Sequence, residues 1–269
     1  MNRKTIKILL SISLTFGLGA CDSFLDRTPS NQVTNDAFFN SETNANSAVI
    51  GLYRTMTSSF TFAQSMLIVP EFSADHVRHA SSFPEYENYA EHKLAASNPW
   101  VANMWQGIYV SVNAANNIIG RVPEMLPGTI STEKSAQFIG EAKFVRALNY
   151  LFLVRAFGKI PLKLSYTTED EDVAIPQATV EETYTQIIKD LTEAAAALPE
   201  DYAGDIAATK GRATKYAALG LLAKAYLYQA TLTKDYSKAA ATAAQVIASN
   251  KFQLVTDLRS IWQTENTAE

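Results

Sequence analysis

The sequence has few of the residues on which disulfide, metal or phosphate chemistry depends. Its 269 residues include 1 cysteine, 3 histidines, 11 glycines and 9 prolines. A single cysteine excludes an internal disulfide, and so little glycine and proline excludes a collagen-like or low-complexity chain. The 23 basic and 27 acidic residues give a net charge of −4, so there is no electrostatic basis for nucleic-acid binding. What remains is a composition with 47% hydrophobic residues, which is typical of a globular protein with a sizeable core.

Motifs for catalysis and metal binding are also scarce. The sequence has no GxSxG or HExxH motif and no glycine-rich phosphate loop after a strand, so we expect no enzyme and no cofactor. His76 and His79 have the spacing of two metal ligands on one helix face, but exposed loop histidines are the simpler interpretation. The acidic run 169–172 leaves calcium open, although adjacent loop carboxylates are usually only solvated. Glycoside hydrolysis would need two carboxylates held in one cleft, which a sequence alone does not place.

The N-terminus is typical of an export signal. Three basic residues precede an apolar run over residues 8–18, and two small residues follow it. As a helix, this run would be about 16 Å long, roughly half the thickness of the hydrocarbon core of a bilayer. We therefore predict a signal peptide over residues 1–20 and not a membrane-spanning helix.

The only cysteine lies where this signal ends. The tetrapeptide Leu18-Gly19-Ala20-Cys21 resembles a bacterial lipobox, whose cysteine is acylated and becomes the new N-terminus. Several acyl chains are enough for stable anchoring in a membrane. We predict lipidation of Cys21 and a polar tether over residues 21–40. A chance cysteine behind an ordinary signal peptide is the alternative.

Beyond residue 40, six segments repeat apolar residues every three or four positions, which is the period of an amphipathic helix. Thr179 and Glu182 have the spacing of a capping box, and Gly158 is placed to end the third segment. The pattern predicts an all-α fold with helices at about residues 41–58, 100–119, 132–157, 179–198, 212–232 and 235–249.

The last two predicted helices form a pair of a particular type. The residues Leu222, Ala223, Tyr226, Tyr236 and Ala239 resemble the tetratricopeptide pattern, in which small and aromatic residues let two antiparallel helices pack closely. The spacing between Tyr226 and Tyr236 is about four residues longer than the consensus of that repeat. Such units bury their faces only by stacking on neighbours. We therefore predict tetratricopeptide-like pairs, with an irregular, alanine-rich helical bundle as the alternative.

Several motifs, in their order along the chain, resemble the SusD/RagB family. They are the lipobox with the following Cys21-Asp22-Ser23-Phe24-Leu25-Asp26, then Trp105-Gln106-Gly107-Ile108-Tyr109 with Asn113 and Asn116, Gly140-Glu141-Ala142-Lys143-Phe144-Val145-Arg146-Ala147-Leu148, Arg155-Ala156-Phe157-Gly158-Lys159-Ile160-Pro161-Leu162 and Ala218-Leu219-Gly220-Leu221-Leu222-Ala223-Lys224-Ala225-Tyr226-Leu227. The resemblance implies a helical outer-membrane lipoprotein of Bacteroidetes. It also implies a SusC-like TonB-dependent transporter as partner and a captured glycan, or in some cases a peptide, as ligand.

Members of this family are usually nearly twice as long as this chain. We therefore expect residues 41–269 to form a SusD-like helical domain that is truncated at its C-terminus. Much of the family's binding surface comes from the half that this chain lacks. The resemblance thus supports the scaffold and the anchor more strongly than the ligand site.

A candidate ligand surface lies between residues 72 and 100, where aromatic and polar residues alternate without a helical period. Aromatic faces suit the C–H face of a sugar, while carboxylates and amides bind its hydroxyls. Packing of these rings beneath the loop is the alternative, and Trp105 and Tyr109 are expected in the core. We predict ligand contacts from Asp75, Tyr86, Tyr89, Asn98 and Trp100.

Two functions of different class follow from these features. The first is a nutrient-binding lipoprotein, anchored in the outer membrane and facing the exterior, that delivers glycans or peptides to a SusC-like transporter. The second is a helical-repeat scaffold lipoprotein that organises envelope proteins and binds no small ligand. Composition does not separate them, and the family resemblance favours the first.

Overall fold

The computed structural model describes residues 38–74, 77, 83–168, 174–256 and 259. The predicted signal peptide, Cys21 and nearly all of the tether lie outside the described residues. So do Asp75, the pair His76 and His79, and the acidic run 169–172.

The described part of the chain is built almost wholly from helices. In chain order these are α1 (Glu42–Met56), α2 (Ser65–Ser73), α3 (Pro84–Ala90), α4 (Pro99–Arg121), α5 (Thr132–Phe157), α6 (Val180–Ala197), α7 (Ile206–Gly211), α8 (Lys215–Thr233) and α9 (Ser237–Ala248). A short 3-10 turn, Val122–Glu124, follows α4, and β1 (Ile160–Pro161) pairs with β2 (Gln177–Ala178) in antiparallel register. The six predicted helices correspond to α1, α4, α5, α6, α8 and α9, and the all-α fold class is confirmed.

The helix ends follow local capping signals. At α6 the Thr179 hydroxyl accepts the Glu182 N–H at 3.1 Å, while the Glu182 carboxylate accepts the Thr179 N–H at 2.7 Å. This hydrogen bond to the Thr179 N–H lowers the pKa of Glu182. The predicted capping box is therefore confirmed, and Gly158 ends α5 with a φ of +73°, a conformation that suits glycine.

Residues 72–100 are not the continuous non-periodic segment that the sequence predicted. Two short helices lie here, because α2 extends to Ser73 and α3 occupies Pro84–Ala90. The α2 sequence is a nearly unbroken apolar run that contains Pro70, so it has no polar face to reveal a period. The α3 helix is too short to show one, although Pro84 at its start and two acidic residues in its first turn are recognised signals of a helix N-terminus.

The long helix α5 lies at the centre of the packing. It contacts α1 and α4 on one side and α6 on the other, and it contributes to both hydrophobic clusters of the described core. Gly140 permits the close contact with α6, since a Cβ there would lie 3.1 Å from the Ala197 Cβ. This arrangement explains why α5 carries buried residues around nearly its whole circumference.

The helices α5, α6, α8 and α9 pack against one another in succession. A connection of only three residues, 234–236, joins α8 to α9, so the two helices are antiparallel neighbours. The predicted pair thus stacks on the preceding helices, as a tetratricopeptide-like unit requires. Of the helices described, none combines the length and apolar character needed to cross a membrane.

Candidate functional site

Three aromatic rings form a continuous stack at the junction of α2, α3 and α4. The Tyr86 ring lies 5.1 Å from the Phe72 ring at an interplanar angle of 20° and 5.3 Å from the Trp100 ring at 22°. We call Phe72, Tyr86 and Trp100 the aromatic stack. Two of the predicted ligand residues, Tyr86 and Trp100, are thus brought into direct contact.

The outer edge of the aromatic stack is accessible to solvent. Phe83 meets the edge of Tyr86 at 6.0 Å and is 56% exposed, whereas Tyr86 and Trp100 are half-buried. Tyr86 itself is stacked against two neighbouring rings. A ligand approaching from solvent therefore meets the exposed part of Trp100 and the ring of Phe83.

Asn98 links α3 to the start of α4. Its side-chain oxygen accepts the Trp100 N–H at 3.0 Å, and its amide donates to the Glu85 carbonyl at 3.0 Å. The side chain is only 5% exposed, and these two bonds use both ends of the amide. Asn98 therefore fixes the backbone of Trp100 relative to the helix that carries Tyr86.

Tyr89 lies in the interior, as the alternative interpretation of this segment anticipates for some of its rings. It is 1% exposed, and burial raises its pKa to about 12, so the phenol is neutral at ordinary pH. Its hydroxyl has no hydrogen-bond partner in the part of the chain that the structure describes. An unsatisfied buried donor of this kind costs about 1–3 kcal/mol.

A pocket with a volume of about 530 Å³ adjoins the aromatic stack. Its walls come from α2, from the end of α3, from the loop that precedes α4, from the first turns of α4 and from the C-terminal end of α5. The lining is mainly apolar and consists of Met66, Val69, Pro70, Ser73, Tyr89, Leu94, Ala95, Ala96, Val101, Met104, Phe152, Arg155, Ala156 and Phe157.

Three residues of the α4 motif lie against the chain that follows α5 or against the core. Trp105 and Tyr109 pack against the hydrophobic core, as predicted, and the Tyr109 hydroxyl donates to the Pro161 carbonyl at 2.8 Å. Asn116 donates to the carbonyls of Lys163 and Ser165, each at 2.9 Å. These motif residues therefore have structural roles and do not belong to the aromatic stack.

A buried ion pair joins α5 to α6. The Arg146 guanidinium donates to both carboxylate oxygens of Asp190, at 2.7 and 2.8 Å, and also to the Asn116 side-chain oxygen at 2.8 Å. Only 5% of the Arg146 side chain and 1% of the Asp190 side chain are exposed. The pair thus ties together α4, α5 and α6 beneath the surface.

A second buried carboxylate, Glu141, joins α5 to α1 and to the connection between α7 and α8. It accepts two hydrogen bonds from Arg212 at 2.9 Å, one from Gln137 at 2.9 Å and one from the Tyr53 hydroxyl at 2.8 Å. The Tyr53 hydroxyl in turn accepts the Ala213 N–H at 2.8 Å, and burial raises the pKa of Tyr53. These roles of Glu141 and Arg146 were not predicted, because their partners are 71 and 44 residues away along the chain.

No metal centre is present among the residues described. Within them, no three histidine, cysteine or acidic side chains converge closely enough to hold an ion.

Comparison with known proteins identifies relatives over most of this chain. A SusD-like family model described as "Starch-binding associating with outer membrane" matches residues 23–227. A SusD-like protein of Bacteroides ovatus is 25% identical over 268 residues, which cover 97% of this chain and 47% of that protein. SusD-like protein P25 of Formosa agariphila is 26% identical over 249 residues, which cover 86% of this chain and 45% of that protein.

Solved structures share the fold. A SusD-like protein of Bacteroides fragilis superposes with a TM-score of 0.74 at 26% identity, covering 90% of this chain and 46% of that one. A laminarin-binding SusD-like protein superposes with a TM-score of 0.72 at 26% identity, covering 85% and 50%. The chain spans about half the length of the curated relatives it matches. Because the family model covers residues 23–227 and the helical architecture is the same, this chain belongs to the SusD-like family.

Proposed function

We propose that the chain is part of a nutrient-uptake lipoprotein that binds a glycan at the aromatic stack and delivers it to a SusC-like TonB-dependent transporter. The observation that carries this proposal is the geometry of the stack, in which Trp100 is partly exposed and backed by Tyr86 at 5.3 Å. The family description as starch-binding and the laminarin-binding relative support a glycan as the ligand class. The protein acts by binding and performs no catalysis.

The stack suits a sugar because its rings are held before the ligand arrives. The apolar C–H face of a pyranose packs against a flat aromatic surface, and a ring that is already fixed loses little side-chain entropy on binding. Phe72 and Tyr86 limit the movement of Trp100 from one side, while Asn98 fixes its backbone. In this proposal Trp100 contacts the sugar and Asp75 binds a hydroxyl. Tyr86, Asn98 and Tyr89 support the surface from beneath.

Replacement of Trp100 by alanine tests the role of the stack. The variant is expected to keep its helical circular-dichroism spectrum and to lose about 1–3 kcal/mol of glycan binding, which is about 5- to 140-fold in affinity. The measurement is isothermal titration calorimetry with laminarin and malto-oligosaccharides and with a short peptide for comparison.

A matched control removes an exposed ring elsewhere. Tyr236, in the connection between α8 and α9, is 48% exposed and lies outside the aromatic stack, so Tyr236→Ala is expected to retain full affinity. Unchanged glycan binding by a folded Trp100→Ala variant would place the site elsewhere, and binding of the peptide alone would replace the glycan as ligand.

The proposed location rests on the N-terminal segment. We propose that residues 1–20 direct export, that Cys21 carries the lipid anchor and that residues 21–40 tether the helical domain, 41–269, to the outer membrane with its surface facing outward. The family description as associating with the outer membrane supports this arrangement.

Replacement of Cys21 by alanine tests the anchor. Because the acyl chains provide the membrane affinity in this account, the variant is expected to move from the membrane fraction to the soluble fraction and to lose labelled palmitate. Cell fractionation and metabolic labelling measure both effects, with Ser23→Ala as the control that keeps the lipobox. A Cys21→Ala variant that stays in the membrane with undiminished label would contradict lipidation at this residue.

A further inference from the structure

We propose that the pocket beside the aromatic stack is a second binding site, which takes a small amphipathic anion with its apolar body inside and its charged group at Arg155. This site is separate from the proposed glycan surface. A glycan carries hydroxyl groups around its whole circumference, whereas this lining is dominated by aliphatic, aromatic and methionine side chains. An alkyl or aryl body is the chemistry that such walls complement.

The dimensions of the pocket are those of a small-molecule site. A volume of about 530 Å³ falls within the range of about 300–1,000 Å³ typical of ligand pockets, which are mostly apolar with a few placed polar groups. Its inner wall includes Met66 and Met104, both of which belong to the main hydrophobic cluster. Methionine side chains adapt readily to apolar ligands of different shape.

Arg155 provides the charge. It is the one charged residue among those that line the pocket, and its side chain is exposed. The guanidinium carbon lies 4.3 Å from the centre of the Tyr228 ring, a cation–π contact that orients the group without neutralising it. Within the described ranges no carboxylate forms an ion pair with Arg155. Its positive charge is thus available to an anion at the mouth of the pocket.

Tyr89 provides the second polar feature. The residue is part of the lining, and its buried hydroxyl has no partner in the described part of the chain. A hydrogen-bond acceptor on the inner part of a ligand would satisfy this donor. The pocket therefore combines an apolar middle with a donor on its inner wall and a cation at its edge.

Two dyes with the same aromatic skeleton test the proposal. The probes are 1-anilinonaphthalene-8-sulfonate, which is anionic, and N-phenyl-1-naphthylamine, which is neutral. Fluorescence titration of the purified chain is expected to show saturable binding of both dyes at one site, with dodecanoate displacing them.

Variants of Arg155 test the role of its charge. Arg155→Gln should weaken binding of the anionic dye about fivefold, on the scale of one exposed charge interaction, and leave binding of the neutral dye unchanged. Arg155→Lys should retain the preference for the anion.

Variants that fill the pocket test whether the dyes bind there or at other apolar surfaces. Ala156 is an exposed lining residue, so Ala156→Trp is expected to fold and to lose binding of both dyes at least tenfold. Ala95→Phe, in the loop before α4, serves the same purpose if the first variant loses its helical spectrum. The control is Leu227→Gln on α8, where Leu227 is 50% exposed and outside the pocket. Dye binding that survives both filling variants, or that Leu227→Gln abolishes, overturns the proposal.

Discussion

Replacement of Asp190 by alanine is expected to lower the free energy of unfolding by about 3–5 kcal/mol. The change leaves the Arg146 guanidinium without its carboxylate at a position where only 5% of the side chain is exposed. The energy lost is mainly that of an uncompensated buried charge, because Asn116 and the Leu164 carbonyl are its other described partners. Urea denaturation followed by circular dichroism measures the difference.

A control on the same helix isolates the effect of burial. Glu193 pairs with Lys143, and 40% of its side chain is exposed, so Glu193→Ala is expected to cost no more than about 1 kcal/mol. The double replacement Arg146→Met with Asp190→Leu should recover much of the lost stability, since it removes both charges. If Asp190→Ala is as stable as Glu193→Ala, the buried pair contributes no more to the free energy of unfolding than the exposed one.

Replacement of Arg212 by methionine is expected to lower the free energy of unfolding by a similar amount, about 3–5 kcal/mol. Arg212 provides two of the hydrogen bonds to Glu141, whose side chain is fully buried. Gln137 and Tyr53 remain as neutral donors to the carboxylate, but the positive charge is gone. The same denaturation experiment measures the loss, and it should be accompanied by weaker protection of the α1 amides in hydrogen exchange.

The neighbouring Lys215 supplies the control. It pairs with Glu200 at 3.2 Å, with 40% and 45% of the two side chains exposed, so Lys215→Met is expected to change the free energy of unfolding by at most about 1 kcal/mol. Equal losses for Arg212→Met and Lys215→Met would show that the buried network around Glu141 contributes no more than a surface pair.

Six of the nine described helices were predictable because their signals are local. The bounds of α5 coincide with the prediction, since Ser131 caps its start and Gly158 ends it. The buried ion pairs were not predictable from the same sequence, because Arg146 and Asp190 are 44 residues apart and Glu141 and Arg212 are 71 apart. No local pattern specifies which charged residues of a helix will meet at such distances.

The candidate site was predictable in part for the same reason. The concentration of aromatic residues near Trp100 indicated a cluster, and Tyr86 does stack on Trp100. The burial of each side chain at the site depends on how α2 and α5 pack, and α2 was not predicted. Burial of Tyr89 and the internal hydrogen bonds of Asn98 therefore emerge only from the tertiary structure, as does the adjoining pocket.

A glycan microarray probed with the purified mature chain is the most direct test of glycan capture at the aromatic stack. We expect binding to at least one class of glycan, with the β-glucans and α-glucans as the first candidates, and loss of that signal when Trp100→Ala is probed on the same array. A folded chain that binds no glycan on the array, or a Trp100→Ala variant with the full wild-type signal, would contradict this expectation.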